Sequence, residues 1–445
     1  MIFDVPTLTR FIAGLWIFVW LVERVAEFLQ YHEASKPYPE SLSTIQPPAE
    51  HEKALAYLGE RLRLGWVKAA LDLGAFLVFF FANGFGWVAG IAERTGGPAW
   101  LRATLFIAGL SLLKGVLDLP FAWISTFKIE AKWGFNRTTV STFILDRVKG
   151  ALIGVLILAP ILAFALWMLE LGGDRAWLWI WIGYTAFQFF LLWIAPIAIL
   201  PLFLKLSPLP DGELKQAIES YAKKQSFSLD GAYVCDASKR STKTNAFFTG
   251  FGKFRRLVLF DTMLAKIDAP ENTLERRREL LDEIVAIVAH EAGHFRLGHI
   301  WKGTLVSTAV SGAALFLAQR IFESPELYLS FGIFPPHAAY GLPIAVMLLG
   351  KLGFFASFAG SWFSRRNEYA ADRFSVETYG NGEALIRGLR HLYHENLAIL
   401  VQHPFYTALF ATHPPLVPRT DAIRRETAHL RRGIENAAVG SAHPT

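Results

Sequence analysis

The sequence predicts a mainly α, polytopic membrane protein of about seven transmembrane helices, with an α+β domain bearing a small β-sheet inserted among them. Three observations predict it. The 445 residues are 53% hydrophobic and include 37 Phe and 14 Trp, with a mean hydropathy of +0.33; that is more apolar surface than one or two soluble cores enclose, so much of it faces lipid. Apolar runs near or above the ~20 residues needed to cross a bilayer core recur along the chain. From Pro201 the composition turns soluble, and amphipathic periodicities replace the apolar runs until about residue 304.

In chain order, residues 1–9 carry Asp4 and no basic residue before Arg10. They lack the positive region of a cleavable signal peptide, so the run 8–29 reads as a permanent first span. A Pro-rich polar linker with Pro37, Pro39, Pro47 and Pro48 leads to a short amphipathic helix over 52–64. Further spans are expected at 64–91, 101–127, 151–171 and 176–204, then at 304–322 and 340–362. Lys68, Asp72, Lys114 and Asp118 interrupt two of them. A lipid-facing charge costs roughly 2.5–3.5 kcal/mol on insertion scales, so these four are expected to face a polar interior, pair between helices or reach for the interface.

The loop 127–149 is short and rich in Lys and Arg, which by the positive-inside rule is cytoplasmic. Counting spans from it puts the N-terminus outside and 205–301 inside, together with the C-terminal tail. Basic loops of this kind account for the net charge of +6. No Lys/Arg tract interleaved with aromatics suggests nucleic acid. The single cysteine, Cys235, excludes an intramolecular disulfide framework and a multi-Cys metal site.

Within the inserted region, 206–214 reads as a turn and helix start, with an amphipathic helix to about residue 224. Segments 231–236, 244–249 and 256–260 read as strands, the last two joined by a Gly turn. A helix then carries His290-Glu291-Ala292-Gly293-His294. His290 and His294 lie one turn apart on one face, a spacing that suits two imidazole ligands to one Zn²⁺. Glu291 sits roughly 100° away around the helix, placed to take a proton from a water on the metal. Three fixed residues also occur by chance. Here, however, the preceding Ile284, Val285, Ile287, Val288 and Ala289 bury the helix, and a buried His-Glu-His without metal would leave polar groups unpaired.

Zinc needs a third protein ligand. The extended motif H-E-x-x-H-x-x-G-x-x-H does not supply it, because Leu297 and Ile300 occupy its Gly and last His positions; His299 points roughly 180° away from His290 and is expected to pair locally. The segment 361–374 offers Glu368 and Asp372, four apart, one to ligate and one to hold the free N–H of a ligand His. Taken alone, that segment also fits an exposed charged helix, with Arg365, Arg366 and Arg373 as partners.

The pairing of His-Glu-Ala-Gly-His at 290–294 with Glu-Tyr-Ala-Ala-Asp at 368–372 resembles the M48 gluzincin metallopeptidases, specifically the Ste24 type of integral-membrane CAAX prenyl endopeptidase. The loop residues Glu130, Gly134, Phe135, Asn136 and Asp146 extend the likeness into the N-terminal half. The resemblance implies one Zn²⁺ held by His290, His294 and Glu368, with Glu291 as general base and Asp372 orienting a ligand His. It implies an edge strand beside the metal, for which Asn245, Ala246 and Phe247 are the candidates, matching the family's Arg-Ser-x-x-x-Asn-Ala pattern; Lys243 stands where eukaryotic members have His. His413, in Thr412-His413-Pro414, is carried over as an oxyanion or substrate contact, and Arg419 as a structural partner. A lone His before two prolines is otherwise an ordinary surface residue.

A membrane domain 1–204 and a peptidase domain 205–445 that includes the last two spans are therefore expected. So is a bacterial inner-membrane location with a cytoplasmic catalytic face. The expected partners are the bilayer and a peptide or protein substrate, prenylated or membrane-associated, for C-terminal processing or membrane-protein quality control. Two alternatives remain at this point: a seven-helix transport or ligand-binding protein with a non-catalytic zinc site, and a shorter HtpX-type peptidase.

Overall fold

The computed structural model describes residues 4–226, 231–250 and 256–441. Helix α1 (Val5–Ala34) starts at Asp4, whose carboxylate caps Thr7 N at 3.0 Å. The expected amphipathic helix 52–64 and the second span are one helix, α2 (Pro48–Phe81). It stops short of residue 91. Asn83 takes a left-handed conformation (φ 61°) and the chain restarts as α3 (Gly84–Glu93). This short helix packs so closely on the loop after residue 330 that a Cβ at Gly86 would lie 2.1 Å from Gly332 O. Next come α4 (Ala99–Ile124), which runs on through a π-helical segment, Ser125–Glu130, then α5 (Val140–Gly172) and α6 (Ala176–Ile194).

Six helical runs among the described residues are long and apolar enough to cross a membrane, and one of them, Val140–Leu202, is 63 residues long. At 1.5 Å per residue that run would be about 95 Å straight, some three bilayer cores. It folds back instead at Gly173 (φ 49°). Gly172 approaches Trp179, and Gly183 approaches Phe164, so α5 and α6 are antiparallel; taken as two lengths, the run brings the candidate passages among the described residues to about seven. The four charges inside α2 and α4 pair with one another. Lys68 Nζ is 2.7 Å from Asp72 and 2.7 Å from Asp118, and Lys114 reaches both carboxylates. Lys114 and Asp118 line a cavity of about 1190 Å³ bounded mostly by apolar residues of α4, α5 and α6 and of the two later spans.

The inserted domain opens with β1 (Leu206–Pro208), where a turn was expected. Pro208 is tolerated there because β1 is an edge strand. Helix α7 (Glu213–Lys224) and strands β2 (Ala232–Cys235), β3 (Ala246–Thr249) and β4 (Arg256–Phe260) follow. Sheet order is β1-β2-β4-β3, with β2 and β4 parallel and the outer pairs antiparallel. The expected Gly turn before β4 falls largely on 251–255, outside the described residues. After α8 (Asp261–Ile267), Thr273 caps α9 (Leu274–Arg296) through Arg276 N at 3.1 Å. One face of α9 packs on α7 and the sheet through Ile218, Leu257, Leu259 and Val288.

Gly298 (φ 69°) turns the chain into α10 (His299–Phe322), followed by α11 (Pro325–Ser330) and the 42-residue α12 (Ala338–Tyr379). The last helices are α13 (Gly382–Glu395), α14 (Pro404–Phe410) and α15 (Leu416–Ser441). Ala286 of α9 joins Leu385 and Leu389 of α13 and Ile423 of α15 in a second core. In the membrane half, the rings of Phe80, Phe85 and Phe331 meet edge to face, as do those of Phe106 and Tyr340.

Candidate metal centre

Two helices build the site. On α9 the i,i+4 spacing sets His290 and His294 on one face, His290 buried. On α12 the same spacing aligns Glu368 and Asp372, both buried. The helices approach closely because residue 293 is Gly: a Cβ there would stand 3.1 Å from both Ala371 Cα and Phe374 Cβ. One ligand atom each from His290, His294 and Glu368 then falls within 4.8 Å of the other two.

The facing atoms are spaced as they would be around a cation. Nε2 of His290 and Nε2 of His294 are 3.2 Å apart. Glu368 Oε1 lies 3.2 Å from His294 Nε2, and Oε2 lies 3.5 Å from His290 Nε2. Glu368 Oε2 is buried without a hydrogen-bond partner among the described residues, an arrangement that costs about 1–3 kcal/mol if nothing satisfies it. Two nitrogens and a carboxylate converging, one of its oxygens held by ion pairs but accepting no hydrogen bond among the described residues, fit the three-ligand set of an open metal site.

Behind these three side chains, Asp372 Oδ1 stands 2.9 Å from His290 Nδ1, close enough for an ion pair though off the line of a hydrogen bond. Arg419 of α15, itself buried, forks onto both oxygens of Asp372 at 2.6 and 2.8 Å and reaches Glu368 Oε2 at 3.4 Å. Burial opposes protonation of His290, but Asp372 and Glu368 outweigh it and raise its pKa to about 9. Burial raises the carboxyl of Glu291 above its ordinary value, opposed in part by the imidazoles of His290 and His294. His299 contacts His294, Nδ1 to Nδ1, at 3.0 Å. His413 Nε2 lies 3.5 Å from Glu368 Oε1 with 64% of its side chain exposed, on the open side of the cluster.

Asn245, Ala246 and Phe247 lie at and just before the start of β3, the sheet edge opposite β1. They are not part of the cluster: Ala246 packs in the same core as Val288, Ala289 and Ala292 of α9, while Phe247 packs against the core of Cys235 and Val258 on the sheet. Sequence reasoning had no signal for Gly293 as a point of close helix approach; it carried Arg419 over as a structural partner, without the contact to two carboxylates at once.

Residues 27–205 match the family described as CAAX prenyl protease N-terminal, five membrane helices, and residues 208–427 match Peptidase family M48. The CAAX prenyl protease 1 homolog of Oryza sativa subsp. japonica is 31% identical over 92% of this chain and 95% of its own. That of Mus musculus is 29% identical over 95% and 97%. The crystal structure of S. mikatae Ste24p superposes with a TM-score of 0.85 at 28% identity, covering 93% of this chain and 98% of that one. With the fold, both halves of the sequence and a three-ligand cluster in agreement, the chain belongs to the M48 metallopeptidase family, in its integral-membrane CAAX prenyl protease branch.

Proposed function

We propose that the metal is zinc, held by His290, His294 and Glu368, and that the enzyme cleaves an extended peptide near the C-terminus of a prenylated or otherwise membrane-associated protein. The observation that carries the reading is the convergence of those three side chains around a buried carboxylate oxygen that accepts no hydrogen bond among the described residues, with Glu291 on the next position of α9. Bound there, zinc supplies a Lewis acid that polarises a carbonyl and brings the pKa of water to about 7.

The chain's own groups do the rest. Glu291 takes the proton of the attacking water and returns it to the leaving amine, and its desolvated carboxylate is a stronger base than an exposed one. Asp372, fixed by Arg419, holds the ring of His290 with Nε2 toward the centre. His413 donates to the oxyanion as it develops. Asn245, Ala246 and Phe247 dock the peptide along the edge of β3 by main-chain hydrogen bonds. We place the domain boundary at 204/205 and the catalytic face on the cytoplasmic side, in a bacterial inner membrane by the chain's high Ala, Arg, Leu and Trp and low Lys usage; the basic loop 127–149 supports that orientation.

Glu291→Gln should keep its metal and lose turnover by about 10²–10⁴-fold, whereas Glu368→Ala should lose both. Metal analysis beside cleavage of a prenylated C-terminal peptide, its unprenylated twin and an unfolded membrane protein measures this. Full activity in Glu291→Gln rules the mechanism out, and preference for the unfolded protein moves the substrate to quality control. A transport protein with an idle zinc site cleaves none of the three.

A further inference from the structure

Strand β3 is held by more than its sheet. The residues ahead of it, 240–243, lie against the membrane half of the chain. Arg240 makes a two-pronged ion pair with Asp146 of α5, at 2.9 and 3.0 Å. Its carbonyl accepts from Arg137 N at 3.0 Å. Thr242 N donates to Phe135 O at 3.1 Å, and Ser241 bridges Asn136.

Lys243 goes deepest. Its ammonium donates to Tyr57 of α2 at 2.9 Å and to Glu130 at 3.0 Å, and it sits 4.4 Å from the centre of the Phe135 ring. Tyr57 in turn donates to Glu130 at 2.5 Å. A charged hydrogen bond combined with a cation–π contact is among the stronger fastenings available to an ammonium. From the other side, Thr262 of α8 donates to the carbonyl of Lys243 at 3.0 Å, so the backbone is gripped three residues before the start of the strand.

Pairing defines what this grip controls. Phe260 N donates to Asn245 O, so in the antiparallel ladder Asn245 and Phe247 spend their main-chain groups on β4 while those of Ala246 turn to the open edge. The Ala246 N–H is taken by Asn245 Oδ1 at 2.9 Å. At this point of the edge the Ala246 carbonyl, on a residue that is otherwise buried, is the group turned toward an incoming strand, as are the main-chain groups of Phe248 by the same alternation.

We propose that Arg240 and Lys243 are positioning residues that fix the Ala246 edge by fastening it to the membrane half of the chain, so that peptide affinity depends on this contact between the two halves. This rests on the reading that β3 docks the peptide, and it assigns no chemistry to either residue.

The test uses the full-length, metal-loaded protein with a fluorogenic peptide, reading kcat, KM and metal content. Lys243→Met and Arg240→Asp are expected to raise KM on the order of tenfold, with kcat within about twofold and metal unchanged, the pattern of lost uniform binding. Lys243→Arg, and the exchanged pair Arg240→Asp with Asp146→Arg, recover KM. Tyr57→Phe keeps the ring and removes one hydrogen bond, raising KM by about two- to fivefold; it decides the matter if the harsher variants do not fold. Wild-type KM in Lys243→Met, or in Tyr57→Phe where Lys243→Met does not fold, overturns the proposal. So does a joint loss of kcat, metal and KM that the exchanged pair leaves unrepaired. A peptide with one backbone N–H replaced by an ester oxygen separates the two readings. If the wild type binds every such ester as well as the amide, the β3 reading falls and this proposal with it. If it discriminates while the variants keep KM, only the positioning role falls.

Discussion

His290 has an acidic group on either side of its ring, Asp372 at Nδ1 and Glu368 beyond Nε2. With its pKa raised to about 9, the metal-free imidazole is protonated at neutral pH. Metal and proton then compete for one nitrogen, and the proton wins more often as pH falls. Uptake of Zn²⁺ at pH 7 should release close to one proton, and apparent affinity should climb by up to about tenfold per pH unit, levelling off above about pH 9. Titration calorimetry in buffers of different ionisation enthalpy counts that proton. A count of zero at pH 7 means that the ring is already neutral. At this scale the sequence was informative where chemistry is local: His290, Glu291 and His294 announce themselves by spacing on one helix. Glu368 could be singled out only with Asp372 beside it and a family likeness behind both. The fork of Arg419 onto Asp372 spans 47 positions and no periodicity points to it.

The crossing of α9 and α12 brings imidazoles and carboxylate together, and Gly293 sets its distance. Gly293→Val would push Ala371 and Phe374 back and carry Glu368 away from the histidines. The variant should remain folded yet hold metal at least about tenfold more weakly, or about 1.4 kcal/mol, as measured by competition against a chelator. Unchanged retention would show that the helices have slack at this point. Most helices could be read from the chain as apolar runs of spanning length. Their breaks could not: α2 absorbs the amphipathic stretch ahead of it and stops at Asn83 although the apolar run continues. Its end depends on a left-handed residue and on the close pass of Gly86 by Gly332, more than two hundred residues later. Strand β1 escaped notice for a similar reason. Its three residues contain a proline, and only pairing with β2 makes them a strand.

As a whole, the molecule is a membrane bundle with a peptidase domain threaded through it rather than attached to its end. The sequence conveyed the bundle through composition and conveyed the insertion through the switch to soluble periodicity at Pro201. It did not convey how the halves meet: Glu130 and Lys243 stood out only by comparison with a family pattern, and nothing in the chain ties either of them to Tyr57, more than seventy positions from Glu130. Helix α12 joins the halves most directly. Its 42 residues form a rod of about 63 Å, twice the roughly 30 Å of a hydrocarbon core. One end crosses the bilayer and the other presents Glu368 to α9. A rod of this kind tilts when the bilayer is thinner than its apolar length, and that tilt swings the carboxylate against imidazoles carried on a different helix. Reconstitution into vesicles of graded acyl-chain length should therefore show an optimum thickness for both metal retention and turnover, with losses on either side; a flat response would mean that the rod bends before it moves the site. Lipid thickness would then act on this enzyme as an effector without any binding pocket of its own.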